Sequence, residues 1–255
     1  MSTPPPNPAS APSKNPTAAI LIIGDEILSG RTRDSNMHHL AGELTRIGID
    51  LREVRMVPDD QPAIVAALNA LRHAWDHVFT SGGIGPTHDD ITADAVAAAF
   101  GVHIGIRDDA RERLAPHYAA QGLDFNEARQ RMARIPDGAT LIDNPISVAP
   151  GFSLGNVHVM AGVPRIFEAM VAFVLPGLEG GAPIQSRNWR VGMGEGTIAA
   201  GFAALAADYP DLGLGSYPFV VNGHYGTTLV VRGSDIPRLE EAYARLQTLF
   251  PGEPV

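Results

Sequence analysis

Residues Ala18-Ala19-Ile20-Leu21-Ile22-Ile23 form an unbroken apolar run closed by Gly24. Such a run marks a strand covered on both faces, as in a parallel sheet. Met37, Leu40, Leu44 and Ile47 then recur at three- and four-residue spacing, with Asp34 or Ser35 as a capping residue and Gly48 as a stop, which predicts a crossover helix. The series repeats with a strand over 49–57, a helix over 61–74 and a short strand over 77–80, so the chain reads as βαβαβ and implies an α/β fold with a mostly parallel sheet.

Beyond residue 90 the pattern predicts a helix capped by Thr92 and ending at Gly101, then helices over 108–121 and 125–133, with Pro116 bending or dividing the first. Short strands are expected at 140–142 and 157–161, and Val163-Pro164 opens a further helix. A Gly- and Pro-rich stretch around 177–187 reads as a linker. It divides a main domain, 17–176, from a small α+β domain, 188–255, made of strand, helix, two strands and a helix.

Composition narrows the classes. The net charge of -9 excludes a general affinity for nucleic acid, whose binders carry a basic face. The absence of Cys removes thiolate metal sites and Cys nucleophiles, and it fits a reducing, cytoplasmic compartment. Residues 1–16, rich in Pro, Ser and Ala without an apolar segment, read as a flexible tail and not as a signal peptide. No apolar stretch reaches the roughly 20 residues of a membrane span, so no membrane association is expected.

The chemistry concentrates in three loops. After the strand at 77–80 comes Ser81-Gly82-Gly83-Ile84-Gly85-Pro86-Thr87-His88-Asp89-Asp90. Ligands of open α/β sheets bind at such strand ends. Gly82, Gly83 and Gly85 let backbone N–H groups approach an anion, and Ser81 and Thr87 add hydroxyls, which outlines a phosphate cradle. It lacks the Lys-Ser/Thr ending of a P-loop and the spacing of a dinucleotide fingerprint. Read plainly, the same residues make a tight turn, with two Asp placed for the helix dipole. Read functionally, adjacent carboxylates beside a phosphate need a cation or a shared proton, which makes Asp89 and Asp90 candidates for a divalent metal such as Mg²⁺ or for general-base work.

Asp59 and Asp60 follow the second strand, either as catalytic carboxylates or as an ordinary helix cap, and Gly24, Asp25 and Glu26 leave the first strand on the same edge. None of the nine His has metal-site spacing, and only His88 lies in a loop of interest. Arg107, Arg129 and Arg165 are considered as phosphate partners, against the ordinary outcome of surface ion pairs.

The segments Gly24-Asp25-Glu26-Ile27-Leu28 with Gly30, Asp34 and Asn36, Val57-Pro58-Asp59-Asp60, and Ser81 to Thr92 together resemble the molybdopterin-binding domain of the CinA family. Asn126-Glu127-Ala128-Arg129, Ala149-Pro150-Gly151-Phe152 and Ala161-Gly162-Val163-Pro164 extend the likeness over about residues 18–175. The segment 188–232 is similar to the small domain that follows in this family. The resemblance implies a three-layer αβα fold, a homo-oligomer, and a small-molecule nucleotide or pterin phosphate as partner, with molybdopterin as one ligand. It adds Gly162 and Pro164 to the substrate-binding residues, and it matches Asp59 and Asp90, with neighbours Asp60 and Asp89, to the family's important carboxylates. Two activities follow from it: metal-dependent cleavage of a nucleotide diphosphate such as ADP-ribose, or adenylyl transfer to molybdopterin phosphate. A non-catalytic binder is the third reading. The chain ends at Val255 without the amidase domain of many members, so nicotinamide-nucleotide deamidation is not expected.

Overall fold

The structure, a computed structural model, describes residues 15–221 and 223–255. The tail expected over 1–16 therefore lies outside the described residues, apart from Asn15 and Pro16. Two compact units divide between Gly181 and Ala182.

In the first unit the strands are β1 (Thr17–Ile23), β2 (Asp50–Val57), β3 (His77–Ser81), β4 (Ile104–Ile106), β5 (Arg134–Pro136), β6 (Thr140–Ile142), β7 (Gly151–Leu154) and β8 (Val157–Met160). The helices are α1 (Asp25–Leu28), α2 (Asn36–Arg46), α3 (Gln61–Ala74), α4 (Thr92–Phe100), α5 (Asp108–Ala120), α6 (Glu127–Gln130) and α7 (Pro164–Val174). Six strands form one sheet in the order β2-β1-β3-β8-β7-β6, and β4 pairs with β5 apart from it. The four strands β2, β1, β3 and β8 are mutually parallel, while β7 and β6 are antiparallel additions.

The unbroken apolar run of β1 has a direct packing cause. Ala19, Leu21 and Ile23 join Ile64, Leu68 and Leu71 of α3 and Ala95 and Val96 of α4 on one face. Ala18, Ile20 and Ile22 join Leu40 and Leu44 of α2 and Phe167, Met170 and Val171 of α7 on the other. A strand buried on both faces has no polar side to alternate with, and the result is the three-layer αβα arrangement. The connections leave β1 toward β2 on one side and reach β3 on the other, so the order reverses between β1 and β3. That reversal is where open α/β sheets bind ligands.

Several local expectations are corrected. Thr92 does not cap α4 with its side chain: its hydroxyl donates to the Gly82 carbonyl at 2.9 Å, and Ile91 holds the cap position. The stretch 125–133 is not one helix, because Asn126 caps only the four-residue α6 and a 3-10 turn over Arg131–Ala133 leads straight into β5. Helix α5 continues through Pro116 undivided, forfeiting only the hydrogen bond that position would have donated. The capping group of α2 is Asp34, whose carboxylate accepts from the Met37 N–H at 3.1 Å.

The second unit contains β9 (Gln185–Val191), α8 (Glu195–Asp208), β10 (Gly213–Val221), β11 (His224–Gly233), α9 (Ile236–Leu249) and β12 (Glu253–Pro254). Its sheet runs β10-β11-β9-β12, all antiparallel. Val191, Leu229 and Val231 of the sheet pack against Ile198 and Leu205 of α8 and Leu239, Ala242 and Leu246 of α9. Strand β9 begins at Gln185, within the stretch that composition alone gave to the linker.

Candidate functional site

Because β1, β2, β3 and β8 are parallel, the loops after all four emerge on one edge of the sheet. This brings Gly24–Glu26, Asp59–Asp60, Ser81–Asp90 and Gly162–Pro164 to the same mouth. The seam between the β3 and β8 loops is tight. Gly82 N–H donates to the Met160 carbonyl, and a side chain on Gly162 would come within 3.2 Å of Gly82 Cα. Asn36, almost fully buried, ties the seam together: its Nδ2 donates to Ser81 Oγ and to the Gly162 carbonyl, both at 2.8 Å.

The loop after β3 is folded by its own side chains. Gly82 and Gly83 have φ of 109° and 69°, which a side chain would strain, and a Cβ at Gly83 would fall 2.2 Å from Thr92 Oγ1. Thr92 N–H donates to the Gly83 carbonyl. Asp90 closes the other end, its Oδ2 accepting from both the N–H and the hydroxyl of Thr87. Gly82 N–H is therefore not free, whereas the amides of Gly83, Ile84 and Gly85 donate to no protein acceptor among the described residues. Three consecutive unpaired N–H groups, partly open to solvent, form the anion-binding part of the loop.

The acidic side chains separate into distinct environments. Asp60 caps α3, its Oδ2 accepting from Ala63 N–H at 3.0 Å. Asp59 accepts from the Asp25 N–H at 3.0 Å, yet its carboxyl is raised above the ordinary carboxylate range. Partial burial is the main cause, and the negative charges of Asp25, Glu26 and Asp89 add to it against the hydrogen bond. Asp89 is fully exposed and lowered, first by the Thr87 hydroxyl. That hydroxyl has a single proton, and the geometry directs it to Asp90. His88 stands in solvent, with its Nδ1 3.9 Å from Asp89. Among the described residues no three His, Asp or Glu side chains group to hold a metal by themselves.

Two shallow hollows open to solvent flank the loop. One is lined by Gly83, Ile84, Gly85 and Asp90 with Arg131 and Arg134. The other is lined by Glu26, Arg33, Asn36, Ser81, Gly162 and Pro164. The basic residues beside the loop are thus not those weighed from the sequence. Arg107 is paired with Asp109, and Arg129 caps the Asp124 carbonyl over the Tyr118 ring. Neither Arg131 nor Arg134 carries a sequence signal except position after the Asn126-Glu127-Ala128-Arg129 segment, because a 3-10 turn brings them to the loop. Asn36 stands out in the sequence only through the likeness to a family motif, and its bracing of Ser81 comes from the fold.

A three-layer αβα unit with its loops gathered at the β1/β3 reversal defines a small-molecule-binding α/β protein. Residues 19–180 match the family described as probable molybdopterin binding domain, and the chain belongs to that family. Residues 183–255 match the family described as FAD synthase, middle domain, which specifies the small unit beyond the CinA likeness. A probable FAD synthase of Caenorhabditis elegans is 31% identical across 92% of this chain, and the chain spans about half (50%) of that relative's length. A protein of Pyrobaculum calidifontis is 34% identical, covering 80% of this chain and 81% of the relative. The crystal structure of CinA, a protein of unknown function from Thermoplasma acidophilum, aligns with a TM-score of 0.60 at 33% identity, over 65% of this chain and 99% of that one. Among the described residues no helix is long and apolar enough to cross a membrane.

Proposed function

We propose that this site binds the diphosphate of an adenosine-containing nucleotide, of the ADP-ribose or FAD kind, and cleaves its phosphoanhydride with a divalent metal ion. The observation that carries the reading is Asp59: a carboxyl whose surroundings favour a bound proton, at the same mouth as three unpaired amides. A general base needs raised proton affinity and access to the attacking water, and Asp59 supplies the first. The amides of Gly83, Ile84 and Gly85 would hold phosphate oxygens and stabilise charge that develops on them.

The donor set fits a hard cation. Asp59, Asp25, Glu26 and Asp89 repel one another across the mouth, and Mg²⁺ typically takes one or two carboxylates together with substrate phosphates. Asp25, Glu26 and Asp89 would hold the ion beside Asp59, with Asp90 shaping the loop through Thr87. Such an ion neutralises phosphate charge and polarises the bond to be broken. Phosphoryl transfer depends mostly on positioning and charge, and the loop's own hydrogen bonds provide the positioning.

A second reading is adenylyl transfer, which forms the same anhydride from a flavin or pterin phosphate and ATP. The match of residues 183–255 to a FAD synthase domain favours it. Incubating the protein with ADP-ribose, with FAD, and with ATP plus FMN or molybdopterin, each with Mg²⁺ or Mn²⁺, separates the readings by mass spectrometry. Release of AMP from ADP-ribose or FAD is expected. A new dinucleotide with pyrophosphate would support transfer, and saturable binding without product would leave a binding protein and reject both.

A further inference from the structure

The hollow on the α4 side of the loop is lined by two carboxylates, Asp90 and Asp94, and two guanidinium groups, Arg131 and Arg134. Of the charged groups lining it, Asp94 and Arg134 cancel in a two-pronged ion pair at 2.6 and 2.8 Å. Asp90 takes its hydrogen bonds from Thr87. Arg131 remains. Its Nη2 donates to the Asp90 backbone carbonyl at 3.2 Å, its buried Nε has no acceptor, and no carboxylate pairs with it among the described residues. Arg72, Arg129 and Arg190 are likewise half-buried without a carboxylate partner among the described residues, but of these four only Arg131 lines the hollow beside the free amides. Withdrawing a charge from water without a counter-ion is unfavourable, and an anionic ligand removes the penalty.

The position tells which anion. Arg131 shares its hollow with Gly83 and Gly85, two residues whose amides are free, whereas Asp59, Asp25, Glu26 and Asp89 do not line it. On this side of the loop guanidinium groups stand beside the free amides. We propose that Arg131 is a phosphate-binding residue, taking the phosphate of the diphosphate that is not attacked and so fixing which phosphorus faces Asp59. A planar guanidinium with several N–H donors suits two phosphate oxygens at once while keeping its bond to Asp90. This assignment rests on the reading of the loop as a diphosphate cradle.

The test is calorimetric titration of the full chain with sodium pyrophosphate, with and without MgCl₂, for wild type, R131Q and R131K, with thermal midpoints recorded. R131Q loses the charge, whereas R131K keeps the charge and a donor long enough for the Asp90 carbonyl but not the planar fork, so a merely bracing role would leave R131K binding like wild type. The expected result is a loss of affinity of roughly ten- to a hundredfold in R131Q, the scale of charge-assisted hydrogen bonds, with R131K intermediate. In turnover, KM should rise more than kcat falls. Wild-type affinity in either folded variant would overturn the assignment. Failure of the wild-type protein to bind pyrophosphate at all would overturn it together with the cradle reading, whereas binding without hydrolysis would leave Arg131 in place and remove only the hydrolase.

Discussion

Asp90 and Asp59 stand at one mouth on loops of the same sheet edge, and they are held in opposite ways. The loop after β3 satisfies its carboxylate: Thr87 gives Asp90 two hydrogen bonds, and Thr92 ties both Gly82 and Gly83. The mouth between β1 and β2 does the reverse, gathering Asp59, Asp25 and Glu26 with one backbone hydrogen bond, from Asp25 N–H to Asp59, between them. Satisfied polar groups make a rigid platform. Unsatisfied like charges mark where something else is meant to bind.

The sharpest way to break this comparison is Asp59→Asn. If Asp59 is the base, turnover should fall by about 10² to 10⁴-fold, the range for removing a general base. The thermal midpoint should hold or rise, because the ionised carboxylate is the disfavoured form in the folded protein. Product formation and a melting scan on the same protein check both halves. Normal hydrolysis, or a large drop in the midpoint, would put Asp59 on the structural side with Asp90.

Next in size is the platform itself. Gly83→Ala places a methyl group 2.2 Å from Thr92 Oγ1 at a φ of 69°, so the loop or the start of α4 must shift. A loss of about 1–3 kcal/mol is expected from denaturant unfolding, the range for a strained backbone position. Asp90→Ala should be milder, about 1 kcal/mol for one hydrogen-bonded network near solvent. Asp90→Asn, which keeps an acceptor for Thr87, should recover most of that stability. An Asp90→Ala protein as stable as wild type would show that the loop does not depend on its closing hydrogen bonds.

How much of this was legible follows from the physics of each part. The parallel core was readable because a strand covered on two faces must be apolar throughout, as Ala18 to Ile23 are. Parallel strands then fix which loops share an edge, so the convergence of Gly24, Asp59 and Ser81 followed from periodicity alone. What each carboxylate does there was not legible. Asp59 and Asp60 are adjacent and chemically identical, and only the start of α3 makes one a cap and leaves the other exposed to its neighbours' charge. The strands β4, β5 and β7 are short and interrupted by Gly, Pro or Ser, so they lack the apolar run that marked β6 and β8. Gly151 in β7 is set by contact instead, since a side chain there would meet the Val159 carbonyl at 2.3 Å.

The smallest effect is also the most specific to the acidic mouth. Asp59 binds its proton more tightly folded than unfolded, so its ionisation opposes folding above the unfolded value of 3.8. The penalty is fully present once pH exceeds the raised folded value, and it disappears as pH falls toward 3.8. Asp59→Asn removes it at every pH. The difference in thermal midpoint between the variant and wild type should therefore be greatest near neutral pH and should close as pH is lowered, though both proteins lose stability through other groups. A divalent ion sharpens the reading further: Mg²⁺ held beside Asp59 should raise the wild-type midpoint at pH 7 by more than the variant's, because it also relieves the charge strain on Asp59. Melting curves across pH 4 to 7, with and without MgCl₂, decide it, and a pH-independent difference would mean that Asp59 is not under charge strain.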